Sequence, residues 1–192
     1  KEPAGVVIRG FNKLHRLSRG KKSRPWQDVS LSDIAKEIAG DWKLGTKGVK
    51  STSPVQPYVY QPGISDLDFL RLLASRVGYE VSADLDENLI FAPPDTGQKA
   101  VATLKWGDNL KKFKSRLTAG QQISKVKVSA WNPKEKKRIE AKASAKDVKS
   151  AMGGDTKGPE AASRFESADS EFHVKLPHAY SIEDLEAMAK GL

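Results

Sequence analysis

The three histidines, His15, His173 and His178, are the side chains best suited to metal chemistry in this sequence. His173 and His178 lie five residues apart, on either side of Val174–Pro177. A strand that ends at Pro177 would not direct both imidazoles at one ion, and zinc normally requires three or four close ligands. The chain contains no cysteine, which excludes thiolate ligands and disulfides and leaves the redox compartment open. We therefore interpret the histidines as surface or hydrogen-bonded residues and predict neither a metal nor a cofactor.

Two further patterns resemble catalytic motifs only superficially. The segment GGDTKG at Gly153–Gly158 lacks the order of a phosphate-binding loop, and no predicted strand leads into it. The pair Asp66 and Asp68 is better explained by capping of a helix, and the pair Asp84 and Asp86 by a hairpin turn. No serine elbow of the G-x-S-x-G type occurs. The sequence therefore predicts a protein that is not an enzyme.

Three basic runs could bind a polyanionic partner. Basic residues interleaved with aromatic ones are typical of surfaces that bind single-stranded nucleic acid. The runs fall in different predicted turns, however, and no recognition helix accompanies them. A solvated or subunit-facing basic surface is the preferred interpretation, and a basic nucleic-acid-binding module is the alternative. The runs are Arg16–Arg24, Leu110–Arg116 and Asn132–Arg138, with Trp26, Phe113 and Trp131 close to them.

Composition places the chain among soluble globular proteins. It has 192 residues, of which 38% are hydrophobic and 30% charged, and its net charge is +9. This length is sufficient for one or two domains with a real core. No apolar run approaches the roughly 18 residues that a membrane span requires. The sequence opens without Met and closes inside a predicted helix, so we expect it to be a piece of a longer protein.

The first half of the sequence alternates predicted strands with two helices. Ser30 is a predicted N-cap with Asp33 in the first turn, and composition predicts a loop over residues 45–54. Pro57 limits the third strand to an edge or a bulge, and Pro62 and Gly63 should end it. The predicted strands are Val6–Gly10, Trp26–Val29, Val55–Gln61, and a hairpin of Tyr79–Asp84 with Asn88–Ala92.

The clearest element is a helix between Ser65 and Gly78. Ser65 is the predicted N-cap, the carboxylates of Asp66 and Asp68 face the positive end of the helix dipole, and Gly78 supplies a left-handed stop. An apolar face follows at helical spacing, so the helix should be buried on more than one side. That face contains Leu67, Leu70, Leu73, Ala74 and Val77, widened by Phe69 and Leu72.

The second half reads mainly as β-structure after Pro93 and Pro94. Strands are predicted within residues 100–145, with a bulge near Lys125 and a turn that begins at Asn132. Residues 147–168 lack periodicity and are rich in Gly, Ser and Ala, which predicts a mobile loop. A strand over residues 171–176 and a helix that begins after Ser181 complete the chain.

Six segments in order resemble the phage late control protein D family, which includes the VgrG proteins and the spike hubs of contractile injection particles. The chain departs from that family at Asn12, where an Asp is frequent, and at Ala130 and Asn132, where Gly and Asp are frequent. The resemblance covers about residues 5–145. The segments are Val6–Arg24, Ser30–Trp42, Tyr58–Val81, Asn88–Pro94, Leu104–Phe113 and Gly120–Ala143.

The resemblance implies a structural baseplate hub that adapts a six-fold tail tube to a three-fold spike. The implied partners are two further copies in a homotrimer, the tail tube protein, and a spike protein or domain. The implied location is the baseplate of a phage or phage-like particle assembled in the bacterial cytoplasm. Neither a membrane segment nor a nucleic-acid partner is expected.

The implied fold class is α+β, with a small α/β hub domain over residues 1–95 and part of a tube-like antiparallel β-barrel over residues 96–192. The barrel part would carry the mobile loop and the C-terminal helix. Nine residues are assigned to a structural motif on the basis of the capping pattern and the resemblance. They are Gly10, Ser65, Asp66, Asp68, Phe69, Leu70, Leu73, Gly78 and Trp131.

Overall fold

A computed structural model describes most of the chain and divides it into two compact units, residues 1–93 and residues 94–190. The described residues are 6, 8–95, 102–114, 123–144, 146–147, 160 and 171–191. The predicted mobile loop at 147–168, apart from Asp147 and Glu160, lies outside the described residues, as does Gly153–Gly158. The assignment of residues 1–95 to a hub domain and 96–192 to a barrel stays a prediction.

The first unit contains two helices, two small sheets and a short 3-10 helix. In the two-stranded sheet, β1 and β3 are antiparallel. In the three-stranded sheet the order is β2-β5-β4, with β2 parallel and β4 antiparallel to β5. The elements are the 3-10 helix Lys13–Ser18, β1 Lys22–Val29, α1 Leu31–Asp41, β2 Gly45–Val49, β3 Gln56–Ile64, α2 Asp66–Val77, β4 Glu80–Ala83 and β5 Asn88–Ala92.

Both helices begin at the predicted caps. The Ser30 side chain accepts a hydrogen bond from the Asp33 amide, and that of Ser65 accepts one from the Asp68 amide, each at 3.1 Å. These bonds satisfy amides that have no partner within the helix. Gly78 follows α2 at φ 65°, the left-handed conformation predicted for it. The two helix predictions are confirmed, because every signal that they use lies within one helical turn of sequence.

The core of the first unit lies between the helices and the sheets. The apolar face of α2 is buried as predicted, except that Val77 is only partly buried and Leu72 is 42% exposed. Since α-helical side chains at i, i+3 and i+4 share a face, these residues contact both α1 and the strands from one side of the helix. The fully buried large apolar side chains of this unit are Leu17, Ile34, Ile38, Phe69, Leu70, Leu73, Leu89 and Phe91.

The predicted loop over residues 45–54 is wrong in its first half, where the chain forms β2. Gly45–Val49 pairs in parallel with β5, forty residues further along the chain. At Gly48 the partner strand comes so close that an added Cβ would lie 2.7 Å from the carbonyl oxygen of Leu89. Glycine is therefore needed for close approach of two backbones, not for a turn.

Substitution of Gly48 by Ala should lower the free energy of unfolding by about 1–3 kcal/mol, because the methyl group would press against a neighbouring backbone. Gly40 is the matched control, since an added Cβ there meets nothing within 4 Å and the residue lies in α1. Gly40→Ala should raise the stability by about 0.5–1 kcal/mol through helix propensity. Urea denaturation of both variants tests the contrast, and equal effects would contradict it.

The described residues of the second unit form a three-stranded mixed sheet covered on one face by a helix. Its elements are β6 Lys125–Asn132, β7 Lys137–Ser144, β8 Phe172–Lys175 and α3 Ile182–Gly191. The order is β7-β6-β8, with β7 antiparallel and β8 parallel to β6. Leu185, Met188 and Ala189 of α3 pack against the small and branched residues of one sheet face. The fold class is therefore α+β, as predicted, but the sheet is not purely antiparallel, and its described strands form no closed barrel.

Three local predictions are wrong. The described residues of Val6–Gly10 form no strand, and β3 continues through Pro62 and Gly63 to Ile64. The pairing of β6 with β7 is continuous from Lys125 to Asn132, so the predicted bulge near Lys125 is absent. The irregular apolar spacing arises because Ile123 precedes the strand while Trp131 faces away from the core.

Candidate functional surfaces

Asp66 is the centre of a buried polar network at the start of α2. Its side chain is 1% exposed. The carboxylate accepts hydrogen bonds from Lys22 Nζ at 2.6 Å, Trp42 Nε1 at 2.7 Å and Gln61 Nε2 at 3.0 Å. Arg24 Nη2 lies 3.4 Å from Oδ1, the carboxylate oxygen to which Gln61 also donates. Both carboxylate oxygens are therefore engaged by donors from β1, β3 and the end of α1.

The alternation of β1 directs the cations to this carboxylate. Arg24 and Trp26 lie on one side of the strand, because residues at i and i+2 share a face. Lys22 reaches the same carboxylate across an irregularity in the pairing between Lys22 and Ser23. Trp26 stacks on Phe69 with ring centroids 5.4 Å apart, and the Arg24 guanidinium lies over the Trp26 ring. Arg24 also forms an ion pair with Asp41 of α1 at 2.7 Å. The network thus joins β1 to both helices.

Burial alone would raise the pKa of Asp66, since it disfavours the charged form. The hydrogen bonds from Lys22, Gln61 and Trp42, together with the charge of Lys22, outweigh burial and lower the pKa below its usual value of 3.8. A general acid or base works best when its pKa lies near the operating pH and its titrating oxygen is within hydrogen-bonding reach of a substrate. Asp66 has neither property, so its arrangement is suited to holding elements together.

The lowered pKa predicts that the first unit loses stability in acid. A carboxylate whose folded-state pKa is depressed contributes stability that is fully present above its unfolded value, about 3.9. That contribution should disappear as the pH falls below about 4 and passes through the lowered pKa of Asp66. Thermal melts between pH 6 and pH 2 measure it. A melting temperature independent of pH over this window would contradict the prediction.

The other motif residues fall into three groups. Ser65 and Asp68 form a reciprocal cap, with the Ser65 hydroxyl also donating to the Asp68 carboxylate at 2.6 Å. Phe69, Leu70 and Leu73 are core residues, and Gly78 ends the helix. Gly10 is exposed in an irregular segment, and Trp131 lies half exposed on β6 in the second unit. The nine residues therefore do not converge on one site.

The three predicted basic runs have different environments. Within Arg16–Arg24, the side chains of Lys22 and Arg24 point inward to Asp66, so this part of the run is not the solvated or subunit-facing surface that the sequence predicts. The described part of Leu110–Arg116 is mainly exposed, and Phe113 is exposed with it. In Asn132–Arg138, Asn132 accepts hydrogen bonds from the amides of the next turn, and Lys137 forms an ion pair with Glu135 at 2.6 Å.

The face of the second sheet opposite α3 is basic. Register places Lys127, Ser129 and Trp131 beside Lys142, Glu140 and Arg138 of β7, and beside His173 and Lys175 of β8. Glu140 forms ion pairs with Lys127 and Arg138, both at 2.8 Å. The hydrogen bond from Lys127 lowers the pKa of Glu140, so this carboxylate stays charged. Cations outnumber carboxylates on this face, so its net charge is positive.

The histidines do not assemble into a ligand set. His173 Nε2 is 2.9 Å from Ser129 Oγ, His15 stacks on Phe11, and His178 packs edge-on against Tyr180. The described part of the chain contains no group of three His, Asp or Glu side chains that could hold a metal ion.

The Asp84 carboxylate accepts hydrogen bonds from the backbone amide and the side-chain amide of Asn88, as expected of a hairpin turn.

Comparison with known proteins places the chain in a family. The sequence matches the family described as the Alg8 N-terminal domain over residues 3–191. The chain belongs to this family. The description of the Alg8 N-terminal domain family names neither late control protein D nor VgrG, so that finer resemblance stays a proposal. Comparison with curated protein sequences gave no match.

Two solved structures of phage tail proteins share the fold. The 43 kDa tail protein of prophage MuSo2 from Shewanella oneidensis is 18% identical, with a TM-score of 0.57, and the match covers 91% of this chain and 48% of that protein. The tail protein of Neisseria meningitidis MC58 is 16% identical, with a TM-score of 0.54, and the match covers 90% and 49% of the two chains. The chain therefore spans about half the length of these tail proteins. Among the described residues, no helix is both long and apolar enough to cross a bilayer.

The network around Asp66 is the feature that sequence reasoning missed. Asp66 was assigned to the helix dipole, and the cations that bind it lie more than forty residues earlier in the chain. A signal did exist, since Lys22, Arg24 and Trp26 alternate with Ser23 and Pro25 as residues of a half-buried strand do. That alternation indicates that the two cations share a face with a core aromatic residue.

Proposed function

We propose that the chain is a structural, non-enzymatic part of a contractile phage tail or phage-like injection particle, located in the baseplate hub. In the full-length protein it forms a homotrimer that adapts the six-fold tail tube to the three-fold spike. Its partners are the tube protein and a spike protein or domain. The observation that carries the proposal is the shared fold with two phage tail proteins over about nine-tenths of the chain.

The internal construction of the first unit supports a mechanical role. Asp66 joins both helices to β1 through directional hydrogen bonds, and stacked Trp26 and Phe69 fill the space beside it. Charge-assisted hydrogen bonds and close packing hold one conformation, which a force-transmitting adaptor requires. The tube-like barrel is part of the proposal: the mixed sheet of the second unit would be completed by strands from elsewhere in the full-length protein or from neighbouring subunits.

Fractionation of the producing bacterium tests the proposal. Tagged full-length protein should sediment with tail-like particles, and electron microscopy of those particles should show it in three copies at the end of the tube. Deletion of its gene should leave no complete particles, and complementation should restore them. Recovery only as free protein, with particle assembly unaffected by the deletion, would overturn the proposal.

The basic sheet face of the second unit favours a nucleic-acid-binding module as a second candidate function. Trp131 is a half-exposed aromatic ring beside Arg138, on a sheet face that also carries Lys127, Lys142 and Lys175, and such a face can bind single strands. The ion pairs of Glu140 and the link between Lys142 and Glu171 at 3.3 Å neutralise part of this charge. They also place carboxylates where phosphates would lie, so the hub is the preferred function.

Titration with labelled oligonucleotides separates the two functions. As a hub component, the chain should bind the oligonucleotides with a dissociation constant of about 10⁻⁴–10⁻⁶ M at physiological salt. This binding should show no sequence preference, and the affinity should fall steeply as the salt concentration rises. Trp131→Ala should then bind like the original chain, as should the control Tyr58→Ala, which removes an exposed ring from the other unit. Tight binding at 200 mM salt that Trp131→Ala alone weakens would favour the nucleic-acid function, since one stacked base contributes about 1–3 kcal/mol.

A further inference from the structure

The segment Leu104–Lys114, which we name the Trp106 turn, exposes an unusual set of side chains. Leu104 is 61% exposed, Trp106 75% and Phe113 69%. Four lysines, at 105, 111, 112 and 114, accompany a single carboxylate at Asp108. Scattered exposed apolar residues are normal on protein surfaces, whereas three large ones within ten residues of sequence are a local concentration of the kind found at interaction sites.

The Trp106 turn is internally hydrogen-bonded. The Asn109 side chain accepts from the Lys105 amide at 2.7 Å and donates to the Thr103 carbonyl at 3.0 Å. The Leu110 amide donates to the Lys105 carbonyl at 3.1 Å, and Gly107 adopts φ 84° to close the turn. A bridge between Trp106 and Leu110 completes the loop. Because these bonds fix the backbone, Trp106 is presented with less ordering entropy left to lose on binding.

We propose that the Trp106 turn is a preformed docking element for a different protein, whose surface carries an apolar pocket rimmed by Asp and Glu. Trp106 and Phe113 would enter the pocket, and the lysines would pair with the carboxylates around it. A buried aromatic anchor surrounded by a polar rim is the usual anatomy of a protein–protein hot spot. Because the Trp106 turn is positively charged, the surface that binds it should be negatively charged.

The chain itself and nucleic acid fit the turn less well. On the described part of this chain, the acidic turn at Asp84–Glu87 lines a pocket that also contains Lys13 and Arg16. The charges of that pocket therefore balance, so a second copy would attract the lysines of the Trp106 turn only weakly there. For a nucleic acid, Asp108 would repel phosphate beside the stacking ring, and the aliphatic Leu104 could not stack on a base. An acidic protein pocket satisfies the apolar and the charged side chains together.

Photo-crosslinking tests the proposal. A docking role within a tail particle rests on the proposed tail function. A benzophenone amino acid replaces Trp106 in the full-length protein, which is irradiated in the producing bacterium, and cross-linked peptides are identified by mass spectrometry. The expected product joins position 106 to a different protein, at a surface rich in Asp and Glu. Products confined to this chain, to a second copy or to nucleic acid, or the absence of any product, would overturn the proposal.

Charge reversal provides the matched control. Lys111→Glu with Lys114→Glu should reduce the cross-linked yield about tenfold or more, because like charges at an interface rim oppose association. Lys21→Glu with Lys50→Glu makes the same charge change at exposed positions of the first unit and should leave the yield unchanged. Equal losses in both variants would contradict the docking element. Sedimentation of the protein with particles is scored separately, so a failure of the tail function is distinguished from a failure of the docking.

Discussion

Truncation of Leu70 or Leu73 to Ala should lower the free energy of unfolding of the first unit by about 2–5 kcal/mol. Both side chains are fully buried on α2, at the centre of the cluster that contains Ile34, Ile38 and Phe91. The loss combines the transfer free energy of the removed methyl groups with the cost of the cavity that remains. Since whole-domain stabilities are about 5–15 kcal/mol, either change removes a large fraction.

Leu72 provides a control on the same helix. It is the same residue type in the same backbone conformation but is 42% exposed, so Leu72→Ala should cost much less. Urea denaturation gives the free energies, and hydrogen exchange assigns the transition to the first unit, because the two units need not unfold together. A Leu70→Ala loss no larger than that of Leu72→Ala would mean that this face of α2 is not the core.

Local signals explain which elements could be predicted from sequence. The caps at Ser30 and Ser65, the stop at Gly78 and the hairpin turn at Asp84 depend on residues within a few positions of each other. Their hydrogen bonds form in almost any context in which the helix or hairpin exists. The core face of α2 was equally readable, since its spacing alone determines which residues share a side.

Long-range pairing explains the errors. The β2 segment, Gly45–Val49, has the composition of a loop, and only its parallel pairing with β5 makes it a strand. Intrinsic strand preference is weak compared with the effect of a partner, so composition misled the prediction. The reverse holds for Val6–Gly10, where β-branched residues predicted a strand and the described residues form none.

The candidate surfaces were less predictable than the fold. Runs of lysine and arginine predicted exposed basic patches, yet Lys22 and Arg24 turn toward a buried carboxylate, whereas the Trp106 turn remains exposed. The number of charges in a run does not reveal which side of a strand a cation occupies; only alternation with a core residue such as Trp26 indicates it. The shared fold with tail proteins adds context that residue chemistry alone could not supply.

Replacement of Asp66 by Ala should destabilise the first unit by about 3 kcal/mol, the lower end of the range for breaking a buried ion pair. The carboxylate is buried, but Lys22 and Arg24 are 36% and 26% exposed and can regain water when it is removed. The Trp42 and Gln61 donors would lose their acceptor inside the protein, which costs more than the net value of the hydrogen bonds themselves. Asp86→Ala, at an exposed turn of the same unit, should stay within about 0.5 kcal/mol of the original chain.

A double-mutant cycle separates the role of Asp66 in the network from a simple loss of volume. If Asp66 acts through Lys22, then Lys22→Ala should cost much less in the Asp66→Ala background than alone, with a coupling of about 0.5–3 kcal/mol. The Asp66→Ala variant should also lose part of the acid sensitivity below pH 4, because the carboxylate with the lowered pKa is gone. Additive free energies together with an unchanged pH dependence would show that the carboxylate does not hold the unit together. In that case Asp66 would be no more than a helix-capping residue, as its position after Ser65 first suggested.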